Sequence, residues 1–380
     1  MAPLRILVFS DVPPHVVGGA EMQIWLLARA WATMGHQVEI AGHRIPAMKQ
    51  EGIRLVHLSV LYPWGRALRG VSYFLSLAGF LLWHRKHYDL IYCRFLGEAA
   101  ISVAMLKNLG LVKQPLVAVP ASGGKEDKAD LALLKSLPGS GKIIDILNRQ
   151  CDCVNFIAPC IEESLSPVGL RPKMTAHIPN GVPVSEDRTV GAVSGIKRLL
   201  FVGRLVYQKG LDILLPVLAR LSESGSQFEL RLVGHGPDRQ YLENLSRKLG
   251  LQDCVSFLGE QPQSIVREEL MKAYLFVLPS RYEGMSNAAL EALSCGLPCV
   301  LTRCGGIDAY LSPDASWVCG LDDPDDLYRA LMEALNVGQE KWKEMSDSCR
   351  SLVMNNFSLE SVARRNIELF ETLIRVNPTY

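Results

Sequence analysis

Short apolar runs separated by helical segments recur along this chain, and the pattern is run through twice. The first half carries RILVFS, QVEIAGH, IRLVHLS, DLIYCR, PLVAVPA, CVNFIAP and TAHIPNG; the second restarts with KRLLFVGR, FELRLVGHG, VSFLGE, YLFVLPS and PCVLTRCGG. Strands this apolar are covered on both faces, and alternation with helices returns the chain to the same sheet end each time, which makes the sheets parallel. The expectation is an α/β protein of two Rossmann-like domains whose parallel sheets face across a cleft, with ligands beyond the carboxyl ends of the strands. A length of 380 residues exceeds one ordinary core and agrees with two.

Between the halves, PVSEDRTVGAVSGIK is polar, contains glycine and holds no sustained period, so it reads as a joint. The expected boundaries are 1–184, a linker 185–197, 198–357, and a terminal helix 358–380. That helix, FSLESVARRNIELFETLIR, has apolar residues at helical spacing and Ser358 as a cap, with Ser361 where a full capping box needs Glu or Gln.

Bulk properties exclude several functions. Basic side chains number 40 against 39 acidic, so no global field draws nucleic acid. The first strand begins so close to Met1 that no secretory leader fits before it, and a cytoplasmic protein is expected. The ten cysteines include no C-x-x-C pair and read as buried reduced thiols. Cys295, Cys299 and Cys304 form the nearest approach to a cluster, but no histidine accompanies them, and no metal site is expected.

The densest functional signal is SRYEGMSNAALEALSCGLP, residues 280–298. It follows the strand run AYLFVLP, and Gly284, Ser286 and Asn287 are turn and N-cap residues that open a helix. Backbone N–H groups at that end, those of Gly284, Met285, Ser286 and Asn287, suit an anionic diphosphate. Glu283 stands at the loop and Glu291 about two turns on, roughly 10 Å of helical rise. Two glutamates at this spacing are common by chance, and an acidic residue near a helix start is ordinarily only a dipole partner. The surrounding residues decide otherwise: glutamate, seven residues, then glutamate, within EGMSNAALEALSCGLPCV, resembles the donor-binding signature of retaining family 4 glycosyltransferases.

Other segments carry the same resemblance. FVGRLVYQKGLDILL joins a strand to a helix through a loop with Gly203, Arg204 and Lys209, where loop cations are ordinarily just solvated. The resemblance implies that Arg204 and Lys209 neutralise the charge that grows on a departing diphosphate. LVGHGPDRQYLENL is similar to the family's G-x-G-P turn, in which Gly234, Gly236 and Pro237 let the backbone approach a ligand, while His235 is expected in solvent. VSFLGEQPQ resembles the loop whose backbone meets the nucleobase, which leaves the base unspecified.

On the acceptor side, SDVPPHVVGGAEM places Gly18 and Gly19 before a helix with Glu21 in its first turn. The G-x-G-x-x-G spacing of a dinucleotide fingerprint is missing, whereas G-G-A-E resembles the glycosyltransferase acceptor loop. Many family members carry a histidine after the fifth strand of the first domain; Ala121, Ser122, Gly123 and Gly124 stand there instead. Some relatives have a comparable loop, so Ser122 and Asp130 are candidates for holding sugar hydroxyls and Gly123 for a backbone donor.

PWGRALRGVSYFLSLAGFLLWHRKHYD, residues 63–89, sets an apolar run between bases and tryptophans, with the candidate membrane face at 64–87. It is too short to span a bilayer; a buried helix explains it, and so does an interfacial helix on an anionic membrane. The resemblance spans nearly the whole chain, including the Pro179-Asn180-Gly181 turn. It implies a GT-B fold, a nucleotide-sugar donor, a sugar or lipid-linked acceptor, and transfer with retention in glycan or polysaccharide assembly. Glu283 is expected to bind donor sugar hydroxyls, Glu291 ribose, and Arg204 with Lys209 the diphosphate, without a cofactor or divalent metal. The rivals are a nucleotide-sugar epimerase or hydrolase, a non-catalytic nucleotide-sugar-binding protein and, least favoured, a glucan phosphorylase, which would be longer and need a pyridoxal phosphate lysine.

Overall fold

The computed structural model describes residues 2–16, 18–61, 66–121, 130, 134–135, 137, 139–184 and 195–376. The chain forms two compact units, Met1–Gly181 with Leu359–Tyr380, and Val182–Ser358.

In unit 1 the described elements run β1 (Arg5–Phe9), α1 (Gly19–Thr33), β2 (Gln37–Gly42), β3 (Met48–Gln50), β4 (Ile53–His57), α2 (Arg66–His84), β5 (Leu90–Arg94), α3 (Glu98–Asn108), β6 (Leu116–Val119), α4 (Ser140–Gln150), β7 (Cys153–Asn155), α5 (Pro159–Leu165) and β8 (Thr175–Ala176). The sheet order is β3-β4-β2-β1-β5-β6-β7-β8. Its pairings are parallel except at β3, a polar strand that pairs antiparallel with β4 at the edge. The TAHIPNG run contributes only the two residues of β8.

Unit 2 contains β9 (Lys197–Val202), α6 (Leu211–Glu223), β10 (Phe228–Val233), α7 (Arg239–Lys248), β11 (Val255–Gly259), α8 (Gln263–Lys272), β12 (Leu275–Leu278), α9 (Asn287–Ser294), β13 (Cys299–Thr302), β14 (Ser316–Cys319), α10 (Pro324–Leu335) and α11 (Gln339–Asn356). Its sheet is wholly parallel, in the order β11-β10-β9-β12-β13-β14. Every residue of β12 and β13 is buried, as expected of strands covered on both faces.

The last helix, α12 (Leu359–Val376), returns to unit 1. Its Phe370 meets Trp31 and Tyr92 edge-on, with ring centroids 5.3 and 5.9 Å away, and all three rings are almost fully buried. Edge-to-face aromatic contacts add roughly 0.5–1.5 kcal/mol each beyond area burial. On α1, Ile24, Leu27, Ala28 and Trp31 form the inward stripe that receives this helix, and Gln23 pairs its side-chain amide with both the N–H and the C=O of Gly181, at 3.0 and 2.8 Å. The start of α12 explains the glycine: a Cβ at Gly181 would lie 3.0 Å from Leu359 Cα.

Helix α2 answers the question left by its apolar run. Tyr73, Leu77 and Leu81 are buried, whereas Leu68, Val71, Leu75, Leu82 and Trp83 are exposed. One face is core and the other is apolar surface. No helix of the described residues is long and apolar enough to cross a membrane. The ten cysteines form no disulfide with one another, and burial pushes the thiols of Cys151 and Cys319 up to about 12.

Candidate active site

Strand order in unit 2 reverses at β9: the chain winds outward through β10 and β11, then returns to place β12 on the other side. Such a reversal leaves a crevice at the carboxyl ends of the two central strands, because the following loops diverge. The loop after β9 ends in a single 3-10 turn, Tyr207–Lys209, and Gly210 in the left-handed region at φ 67. A Cβ on Gly210 would fall 1.9 Å from the carbonyl oxygen of Pro279, so only glycine lets this loop lie against the one after β12. That approach brings Lys209 to Glu283. Lys209 Nζ donates to Glu283 Oε1, and Ser280 Oγ donates to the same oxygen at 2.9 Å. The lysine and glutamate side chains are only 13% and 10% exposed, so the pair is held largely out of water.

Sequence reasoning missed what fixes this geometry. The Arg281 guanidinium makes a two-pronged bond to Asp212, both contacts 2.8 Å, donates to Tyr207 O at 2.7 Å and to Asp322 at 2.9 Å, and lies 3.8 Å from the centre of the Tyr207 ring. Arg281 N–H donates to Gln208 O, and the Gln208 side chain donates to Tyr282 O. The loops that carry Lys209 and Glu283 are therefore tied along their length. The i+2 spacing of Arg281 and Glu283 was the available signal, but nothing local names Asp212 as the partner.

The other donor-side candidates fall around this pair. A Cβ at Gly203 would lie 3.5 Å from Lys209 Cε. At Gly234 and Gly236 a Cβ would come within 1.9 and 2.2 Å of the carbonyl oxygens of Gly203 and Leu205. Those two glycines are thus required by packing between two loops of the protein itself, which the expectation of ligand approach did not include. Arg204 is exposed and forms no ion pair among the described residues, and His235 is exposed as expected. Ser286 is the N-cap of α9, accepting the Ala289 N–H at 3.3 Å. Gly284, Met285 and Ser286 are buried, and Asn287 begins the helix. Beneath them, Asp308 accepts the N–H groups of Gly305 and Gly306 at 3.1 and 2.7 Å, fixing a turn whose Gly306 abuts Gly284 O. Glu291 lies in the second turn of α9 and accepts from Gln263 at 3.2 Å; burial raises its carboxyl above the ordinary value, and the Gln263 bond opposes that shift.

In unit 1, Gly18 is the N-cap of α1 and Gly19 its first residue. A Cβ on Gly18 would meet Glu21 Oε2 at 2.2 Å, because that carboxylate folds back over the helix start. Asp130 sits under the loop after β5, 1% exposed, accepting from the N–H groups of Leu96 and Ala121 at 2.6 and 2.9 Å. In this position it ties two loops from below and has no exposed oxygen to offer a sugar hydroxyl, contrary to expectation. Ser122 and Gly123 lie outside the described residues.

An ammonium and a carboxylate that neutralise each other at a switch point are poised for exchange. An arriving phosphate can take the ammonium, and the released carboxylate can then accept from a hydroxyl attached nearby.

The Glycosyltransferase Family 4 profile matches residues 17–186, and that of Glycosyl transferases group 1 matches residues 186–351. The chain is 28% identical over 383 residues to a subunit of the phosphatidylinositol N-acetylglucosaminyltransferase of Arabidopsis thaliana, covering 98% of this chain and 83% of that one. It is 24% identical over 292 residues to the putative colanic acid biosynthesis glycosyltransferase WcaL of Salmonella typhimurium, covering 74% and 70%. The crystal structure of HepE from Anabaena in complex with UDP and glucose superposes with a TM-score of 0.79 at 18% identity, over 97% of this chain and all of the other. Taken together, the two consecutive profile matches and the GT-B architecture show that this chain is an enzyme of the group 1, family 4 glycosyltransferases.

Proposed function

We propose that the protein transfers a sugar, with retention of anomeric configuration, from a nucleoside diphosphate sugar to an acceptor presented at a membrane surface on the cytoplasmic side. The observation that carries this reading is the Lys209–Glu283 pair at the strand-order reversal of unit 2. As the bond between the anomeric carbon and the phosphate oxygen breaks, its electron pair leaves with the diphosphate, and Lys209 with Arg204 neutralises the charge. The acceptor hydroxyl oxygen bonds to the anomeric carbon, and its proton passes to the departing diphosphate oxygen. Glu283 holds donor sugar hydroxyls, Glu291 the ribose, and the N–H groups at the start of α9 the diphosphate. Retention is supported by the family resemblance. With two cations and these amides supplying charge, turnover is expected to persist in excess EDTA; abolition of turnover by EDTA and its rescue by a divalent ion would refute the metal-free reading.

The decisive measurement is calorimetric titration of UDP, GDP, ADP and CMP into wild type and Lys209→Ala without added metal. Selective binding of one nucleoside diphosphate, weakened in the variant, is expected; binding unaffected by the substitution would remove Lys209 from the donor site.

The membrane part rests on α2, whose Leu68, Val71, Leu75, Leu82 and Trp83 give an exposed apolar face followed by the bases Arg85 and Lys86. A lipid-linked acceptor fits such a surface. Leu75→Ser with Trp83→Ser should release the protein from vesicles containing anionic lipid while leaving nucleotide binding intact. Leu81 is fully buried and is unsuitable for this test. Vesicle binding unchanged in the double variant would discard the interfacial role of α2.

A further inference from the structure

Glu291 does not stand alone on α9. The side chain that meets it, Gln263, is the last residue of the segment VSFLGEQPQ and the first of α8, and three restraints place it. Gly259 ends β11 in the left-handed region at φ 73, and its carbonyl accepts the Gly234 N–H at 2.8 Å, which ties this loop to the turn after β10. Gln261 folds its side-chain amide back onto Leu258 O at 2.7 Å. Pro262, its φ set near −59 by the ring, then opens α8, and its carbonyl accepts the N–H groups of Ile265 and Val266 at 2.9 and 3.0 Å. From a helix start fixed in this way, Gln263 Nε2 donates to Glu291 Oε2 at 3.2 Å, a contact between residues 28 apart in sequence.

What each group has left matters more than the bond itself. The last torsion of a glutamate is broad and roughly two-fold, so a carboxylate without a partner does not hold either oxygen in one direction. With Oε2 held by the amide, that freedom is removed, and Oε1, which meets no donor among the described residues, is the oxygen left to accept from a ligand. A neutral amide suits this task better than a cation would, because it fixes one oxygen without cancelling the charge that makes the other a strong acceptor. Burial raises the Glu291 carboxyl above its ordinary value and the Gln263 bond opposes the shift, so the same N–H also favours the ionised, accepting form.

We propose that Gln263 is a positioning residue of the donor site: by holding Glu291 Oε2 it aims Oε1 at a ribose hydroxyl, and so sets how strongly the site distinguishes a ribonucleoside diphosphate from its deoxy form. The inference rests on the assignment of Glu291 to the ribose made above and adds the residue that makes this contact selective.

The test is calorimetric titration of the full chain with whichever of UDP, GDP and ADP binds, and with the 2′-deoxy and 3′-deoxy forms of that nucleotide. Loss of the hydroxyl that meets Glu291 should weaken binding to wild type about tenfold, the scale of one hydrogen bond to a charged group. Gln263→Ala should weaken the ribose form about fivefold but that deoxy form less than about twofold, because the aimed oxygen then has no hydroxyl to meet. Gln263→Glu removes the donor and sets a like charge against Glu291, so it should cost the ribose form more than Gln263→Ala does. Gln263 is exposed, and both variants should keep the wild-type circular dichroism spectrum. A loss from Gln263→Ala that is equal in the ribose and both deoxy forms, or ribose-form binding that neither variant alters, overturns the inference and leaves the donor site in place. A wild type that binds no nucleoside diphosphate refutes the donor reading, and one that binds ribose and deoxy forms equally refutes the ribose assignment; the inference falls with either.

Discussion

The two strand-order reversals of this molecule are prepared in opposite ways. In unit 2 the opposing charges at the crevice are already joined, Lys209 to Glu283, and the loops beneath them are bound by Arg281. In unit 1 the corresponding position leaves Arg94 Nε without a hydrogen-bond partner among the described residues, beside a left-handed phenylalanine. A site for a highly charged donor benefits from an internal counterion, because an isolated buried ammonium would be strongly disfavoured without ligand. A single guanidinium nitrogen left without a partner costs less, about one unmade hydrogen bond, because the charge of the group is delocalised and partly compensated elsewhere. The contrast teaches that similar topology does not dictate how polar groups at a strand-order reversal are satisfied; the local side chains do.

The comparison can be broken most severely at the ion pair. Lys209→Ala should lower turnover by about 10²–10³-fold or more, the scale of removing one transition-state charge contact, with the circular dichroism spectrum unchanged. Glu283→Ala should give a comparable loss, and the double variant much less than the product of the two; full additivity would show that the residues do not act as a unit. Next in size is Arg281→Ala. Loss of its bonds to Asp212 and Tyr207 O should reduce kcat by roughly ten- to a hundredfold through misplacement of Lys209, since small displacements of positioned groups are costly. An unchanged kcat would show that the tie is dispensable.

In unit 1, Asp130→Asn should lower stability by about 1–3 kcal/mol, because one of the two amides now bonded to the carboxylate must face an NH₂ group. Urea midpoints measure this, and an unaltered midpoint would free Asp130 for a ligand role. The smallest effect is expected at Glu291. Its folded-state pKa is raised, so the folded protein holds that proton more tightly than the unfolded chain, and stability falls as pH rises through the shifted value. Glu291→Gln should therefore melt higher than wild type at pH 7 without ligand, with the gap closing below the ordinary value of 4.5, while donor affinity declines. A variant that melts lower at pH 7 would contradict the sign.

Much of this was legible in the residues. Uniformly apolar runs announced the buried strands, and the Ser286-Asn287 cap announced α9, because both signals are local. What escaped is nonlocal. Lys209 and Glu283 are 74 residues apart, Arg281 and Asp212 are 69 apart, and Gln23 and Gly181 are 158 apart, so only the folded topology pairs them. The glycines at 234 and 236 were identified as necessary, but the surface that presses on them is another loop of the same unit. In α2 the run is apolar on nearly every side, which left the boundary between buried Leu81 and exposed Leu82 without a polar marker. Strand β3 is short and polar, and its place in the sheet comes from pairing with β4 alone.

The return of α12 to unit 1 has a consequence for synthesis. Unit 2 is one uninterrupted segment, whereas the aromatic core of unit 1 lacks Phe370 until all of unit 2 has been made. A ribosome making this protein therefore completes the second unit while the first is still missing a wall, and a chain that stalls between Ser358 and Phe370 strands the earlier-made half in its unfinished state.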